Sequence, residues 1–276
     1  GLVSLLQVLF YLLFFNVNYP DNFKSLLSLF SAGRLTFIPS APGVLADGIE
    51  RNKLPSPPNF YENDMSGLFL DTAGSIISLW ILYLIGCLVF QLLGTFLRSS
   101  KIARIKEDFG LLGCLRLWMS TYLELLYAGI LQMRVLNFSK PILAVSSFSA
   151  IIVSLLNFTL PGVSIILINR LTKNCKENNP SFENFVLTED YDMSHPIKKY
   201  FVAFLTLKRM LQVICMVLFY YMPFLQVGSI WIFNFIYMIS LIKYRPHHHQ
   251  KGNFLDIYVE MMFCGLHSLI VLLALN

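Results

Sequence analysis

The chain has 276 residues, of which 56% are hydrophobic and 13% charged, with a formal net charge of +5 and a mean hydropathy of +0.63. Soluble domains carry about 25% charged residues, so this chain has too few ionisable groups to coat a water-soluble globule. The excess of basic residues falls in short segments flanking apolar runs, a membrane-topology signal that gives no indication of nucleic-acid binding.

The first apolar run, Gly1 to Phe15, lacks the basic start and small-x-small cleavage site of a signal peptide. At 1.5 Å per residue it reaches about 22 Å, short of the roughly 30 Å hydrocarbon core. Residues 1–15 are therefore expected to be a truncated first transmembrane helix, and the chain a fragment of a longer protein. In the loop that follows, residues 16–71, Asp21 or Asn22 can cap a short helix with Phe23, Leu26, Leu27 and Phe30 on one face. It reads as an interfacial helix on the outer surface. Pro39, Pro42, Pro55, Pro57 and Pro58 then forbid long regular structure. The whole segment reads as a small folded extracellular lid.

Six further runs follow: Thr72–Leu97, Leu117–Leu136, Ile142–Ile168, Phe201–Met222, Phe224–Ile242 and Phe254–Leu275. Each reaches the length that a helix needs to span a bilayer, and each is apolar on all faces, unlike the alternating segments of a membrane β-barrel. Residues 72–276 thus form an expected six-helix bundle. The fold class is all-α: a polytopic transmembrane helical bundle of about seven spans plus two interfacial amphipathic helices.

Lys and Arg set the orientation. Arg98, Lys101, Arg104, Lys106 and Arg116, then Arg170, Lys173, Lys176, Lys198 and Lys199, then Lys243, Arg245 and Lys251 crowd the loops 98–116, 169–200 and 243–253. The alternate connections hold only Lys24, Arg34, Arg51, Lys53, Arg134 and Lys140. The three richer loops are expected in the cytosol, with Gly1 inside and Asn276 outside. The scheme requires a tight hairpin at Pro223. In the first cytosolic loop Ile102, Ile105, Phe109 and Leu112 share one side of a second interfacial helix, whose Lys101, Arg104 and Lys106 would contact anionic lipids of the inner leaflet.

Charges inside a span are costly and mark candidate sites. Counted from the expected helix starts, Glu124, Lys208 and Glu260 all lie about 10 Å below the cytosolic boundary. Glu124 and Glu260 are therefore expected to neutralise Lys208 and Arg209 in one intramembrane ionic cluster, read first as a structural staple and second as a gate. Gln132, Asn157, Gln212 and Asn234 are buried polar groups expected to hydrogen-bond between helices, as is His267, for which a proton relay is the alternative reading. Cys87, Cys114, Cys175, Cys215 and Cys264 lack zinc-type spacing and read as reduced thiols. His247, His248 and His249 lack the further ligands of a metal site. No Ser/His/Asp arrangement, HExxH, P-loop or strand-to-helix GxGxxG is present, so no enzyme activity, cofactor or metal is expected.

Several phrases resemble the C-terminal multi-pass region of very large ciliate surface proteins with cysteine-rich, furin-like or EGF-like repeats. They are Asn16–Ser31, Leu35–Pro39, Pro57–Trp80, Tyr122–Leu126 and Tyr244–Glu260. More distantly the layout resembles transient receptor potential-like membrane domains. The resemblance implies a covalently attached upstream ectodomain, a plasma-membrane or cell-surface location, and a role as membrane anchor and signal relay. The distant likeness implies instead a cation channel or transporter subunit, as an oligomer. Against that second implication, no re-entrant loop joins the spans on either side of Pro223, and no selectivity-filter sequence is readable.

Overall fold

Long runs of Leu, Ile, Val and Phe without charge favour helices in lipid, where every backbone amide must be bonded within its own segment. The computed structural model describes residues 2–34, 40, 55–96, 110, 113–177, 191–192, 195 and 197–275. Among them the helices are α1 (Leu2–Tyr11), α2 (Asp21–Ser28), α3 (Pro58–Tyr61), α4 (Phe69–Thr72), α5 (Gly74–Phe96), α6 (Gly113–Met133), α7 (Pro141–Glu177), α8 (Phe201–Leu218), α9 (Pro223–Tyr244) and α10 (Gln250–Ala274). Short 3-10 turns cover Leu12–Phe14, Leu29–Arg34 and Lys198–Tyr200. The described residues contain no strand, only an isolated bridge between Tyr191 and His247.

Five stretches among the described residues are long and apolar enough to cross a membrane: Gly74–Leu93, Pro141–Arg170, Lys198–Leu218, Pro223–Tyr244 and Gln250–Ala274. The protein is a membrane-embedded all-α bundle. The first apolar helix, Leu5–Phe14, is too short to qualify, as its sequence length foretells. The expected third span, α6, has 21 residues but falls outside the five. Its composition fits its position, because Thr121 to Gln132 are buried without a break. A helix enclosed by protein on every face can carry polar groups that a lipid-facing helix cannot. By contrast α5 exposes Ile81, Leu82, Leu84, Ile85, Leu88, Val89, Leu92 and Leu93, as a lipid-facing helix does.

Several boundaries depart from expectation. The fourth helix continues to Glu177, well past Ile168, so the start of the expected loop 169–200 is helical. No Gly or Pro interrupts Asn169–Glu177, and its Arg, Leu and Lys are good helix formers. Pro161 lies inside the same helix and lacks the amide hydrogen for a bond to the preceding turn. α6 is described from Gly113, four positions before Leu117, and α10 begins at Gln250, four before Phe254.

The chain divides into two compact units: Gly1–Leu13 with Ser25–Ser154, and Phe14–Lys24 with Leu155–Asn276. In the first unit, Phe69, Ala73 and Ile76 pack with Leu125 and Ala128 of α6 and Ala150 of α7. Gly129 lets α7 approach α6 closely, since a Cβ there would lie 2.2 Å from Ser154 Oγ. Small residues permit such contacts between membrane helices. Gln132, at the end of α6, bonds through both ends of its amide. Its Oε1 accepts from the Phe69 amide (2.7 Å) and Ser146 Oγ (3.0 Å), and its Nε2 donates to Val135 O (3.3 Å) and Ser147 Oγ (3.2 Å). It thereby caps α4, whose N-cap residue Leu68 has no side-chain acceptor. α3 ends with Asp64 at φ 59°, the Asp64 amide donating to Tyr61 O (3.1 Å) and the Met65 amide to Phe60 O (2.8 Å). This is a Schellman ending with buried Met65 as its apolar plug. That part of the expected lid is folded; residues 35–39 and 41–54 lie outside the described residues.

In the second unit, α8 and α9 form the tight hairpin required at Pro223. Gln226 Nε2 closes it by donating to Met216 O at 2.6 Å, and Asn16 donates from its amide to Gln226 Oε1 (3.0 Å) and from Nδ2 to Tyr220 O (3.1 Å). α9 stops at Arg245, in the left-handed region at φ 44°. Asn253 then staples the α9–α10 turn: its Oδ1 accepts from the His247 amide (3.0 Å) and its Nδ2 donates to His247 O (2.9 Å). His247 Nε2 meets Asp256 Oδ2 at 2.7 Å, and its ring stacks on Tyr191 with centroids 4.8 Å apart. His247 is therefore part of a turn lock rather than one of three equivalent ligands.

Candidate functional site

Two buried ion pairs stand out, and the sequence anticipates one of them. Lys208 of α8 reaches Glu260 of α10, with Nζ 2.6 Å from Oε1 and 2.7 Å from Oε2. Nζ also lies 4.5 Å from the centroid of the Tyr237 ring of α9, a cation–π contact that links the third helix to the pair. Tyr237 is held by Phe204, stacked at 5.9 Å, and by Phe201 at 6.2 Å. Toward the other end of the same helices, Gln212 Nε2 donates to Asn234 Oδ1 at 2.6 Å. Asn234 Nδ2 is 3.5 Å from His267 Nδ1, which is 2.7 Å from Phe263 O. The shorter contact sets the tautomer, with Nδ1–H donating to the Phe263 carbonyl. His267 also meets the Phe15 ring edge-to-face at 5.6 Å. The interhelical bonds expected of Gln132, Gln212 and Asn234 are thus present.

Glu124 has different partners from those expected. Arg34 Nε donates to its Oε1 at 2.9 Å, and the Tyr11 hydroxyl donates to its Oε2. The same guanidinium donates from Nη1 to Asn63 O at 2.9 Å, at the end of α3, and lies 5.5 Å from the Phe10 ring centroid. Glu124 is fully buried, Tyr11 and Arg34 nearly so. Burial acts to lower the Arg34 pKa, but the Glu124 carboxylate outweighs it and the net shift is upward, so the group stays charged. Within one unit Glu124 is thus neutralised by Arg34, and within the other Glu260 by Lys208. The reason is a segment that depth along a helix does not register: the Leu29–Arg34 turn brings a guanidinium to Glu124 within its own unit. Arg209 follows Lys208 on α8. Lys101, Arg104 and Lys106, expected at inner-leaflet lipids, lie outside the described residues.

Arg34 is the residue that sequence reasoning missed. In the sequence it stands in the outer loop as a topology signal, and no local pattern distinguishes it from Lys24 there. Gly33 brings it in. A Cβ on Gly33 would lie 2.8 Å from Gln7 N and Leu6 Cβ and 2.9 Å from Leu6 C, so only glycine lets this turn press on the α1 backbone. Gly33→Ala is expected to destabilise the protein by about 1–3 kcal/mol, the usual cost of overpacking. The obstacle is main chain and cannot rotate away. Thermal unfolding in detergent, with Gly86→Ala as the open-space control, measures it. An unchanged midpoint for Gly33→Ala refutes the close packing.

Compared with known proteins, the chain matches no family model, no curated protein and no solved structure.

Proposed function

We infer that the chain is the multi-pass membrane module of a larger cell-surface protein, holding it in the bilayer and relaying signals through its helices. The observation that supports this reading is where the family-like phrases fall. Pro57–Trp80 includes Asn63, whose carbonyl binds Arg34. Tyr122–Leu126 carries Glu124, and Tyr244–Glu260 carries both the His247–Asp256 lock and Glu260. Three of the five phrases resembling ciliate surface proteins thus carry residues that brace the bundle, as an anchor requires. In this reading α1, α5, α6, α7, α8, α9 and α10 are the seven spans, the His247 turn faces the cytosol, and the module sits in the plasma membrane.

Reconstitution separates this reading from a receptor-potential-like channel. The purified chain in liposomes is expected to pass no more monovalent or calcium ion than protein-free vesicles. Protein-dependent cation flux, lost on unfolding, overturns the anchor. In cells, a cysteine replacing exposed His248 is expected to resist a membrane-impermeant thiol reagent until the membrane is permeabilised. Labelling in intact cells reverses the orientation.

A further inference from the structure

We propose that the adjoining ends of the apolar spans Pro141–Arg170, Lys198–Leu218 and Pro223–Tyr244 form a seat for the phosphate headgroup of an anionic phospholipid, with Arg170 and Lys199 as its cations. Arg170 and Lys198 are the terminal residues of two apolar spans, which places both at one membrane boundary. The two ends are joined by Asn169, whose Oδ1 accepts from Lys199 Nζ at 3.2 Å and from the Tyr200 hydroxyl at 2.5 Å. Lys199 Nζ lies 4.8 Å from the Tyr200 ring centroid. A third helix end joins through Phe201 and Tyr244, whose rings are 6.1 Å apart, and it brings Lys243 over the Tyr244 ring at 5.2 Å. Among the described residues, the carboxylate bonded here is Asp192, engaged by Lys198 at 3.1 Å. Lys198 is therefore not counted as a phosphate ligand.

The surroundings favour a lipid over a soluble anion. Tyrosines beside lysines at the ends of apolar spans suit the headgroup level, where an aromatic ring has one apolar and one wet side. One turn below Arg170, Ile166 is exposed, and one turn below Tyr200, Phe204 is partly exposed. These apolar side chains offer a path for an acyl chain directly beneath the cations. A soluble phosphate would use the charges and leave this path unused.

The test places the full chain in nanodiscs of phosphatidylcholine, with or without added phosphatidylserine, and reads the unfolding midpoint. The anionic lipid is expected to raise the midpoint of the wild type. Arg170→Gln with Lys199→Gln is expected to abolish most of that rise, since each removed charge weakens headgroup attraction roughly fivefold. Lys24→Gln, on a different connection, is expected to keep it. The proposal is overturned if the double variant keeps the full rise, if Lys24→Gln loses as much, or if inorganic phosphate in phosphatidylcholine discs reproduces the rise. Should the double variant not fold, native mass spectrometry of Lys199→Gln alone decides. Retention of phosphatidylserine equal to wild type overturns the proposal, and a fivefold loss supports it.

Discussion

Arg34→Met is expected to destabilise the protein by about 3–5 kcal/mol, the cost of stranding a buried charge. The variant keeps the Glu124 carboxylate among buried groups with only the Tyr11 hydroxyl as donor, and it leaves Asn63 O without the guanidinium. Lysine is not an adequate substitute. A single ammonium cannot reproduce the planar fork that serves Glu124 from Nε and Asn63 from Nη1. The decisive comparison is Arg34→Met with Glu124→Gln. Removing both charges eliminates the stranded ion while the glutamine carbonyl can still accept from Tyr11, so the double variant should be more stable than Arg34→Met alone. Unfolding midpoints of the three variants in one detergent measure the coupling. Strict additivity would show that the pair is not an energetic unit.

Lys208→Met carries a comparable penalty, about 3–5 kcal/mol, because Glu260 then loses the ammonium bonded to both of its oxygens. Reversing the pair tells more. Lys208→Glu with Glu260→Lys keeps the attraction but sets a carboxylate over the face of Tyr237, where the cation now sits. The negative ring face repels it, so the reversal should recover only part of the loss. The shortfall is about 0.5–2 kcal/mol, the size of a cation–π contact. Tyr237→Phe should retain the pair, since the ring face and not the hydroxyl is used; Tyr237→Leu should not. Full recovery on reversal would show that the ring contributes nothing.

The helices were legible in the sequence because runs such as Thr72–Leu97 and Phe224–Ile242 have no other stable state in lipid. Pro223 marked its hairpin because proline opens a helix readily and interrupts one badly. Counting from Phe201 and Phe254 puts Lys208 and Glu260 at one level, and the pair forms although α10 begins four residues earlier, at Gln250. Glu124 could not be paired from depth, because its partner comes from a turn whose inward path is set by the missing side chain of Gly33. Helix periodicity does not record such a contact, since it is made between segments and not within one. The overrun of α7 to Glu177 has the opposite origin: loss of hydropathy ends a span, but it does not end a helix.

The unbroken burial of Thr121 to Gln132 also constrains how the protein is made. A stretch that carries a carboxylate and exposes no side chain cannot stand alone in either lipid or water. It needs company: α1, α4, α5 and α7 each pack against it or bond to it. The surroundings of α6 are therefore complete only once segments from both before and after it in the chain have closed around it.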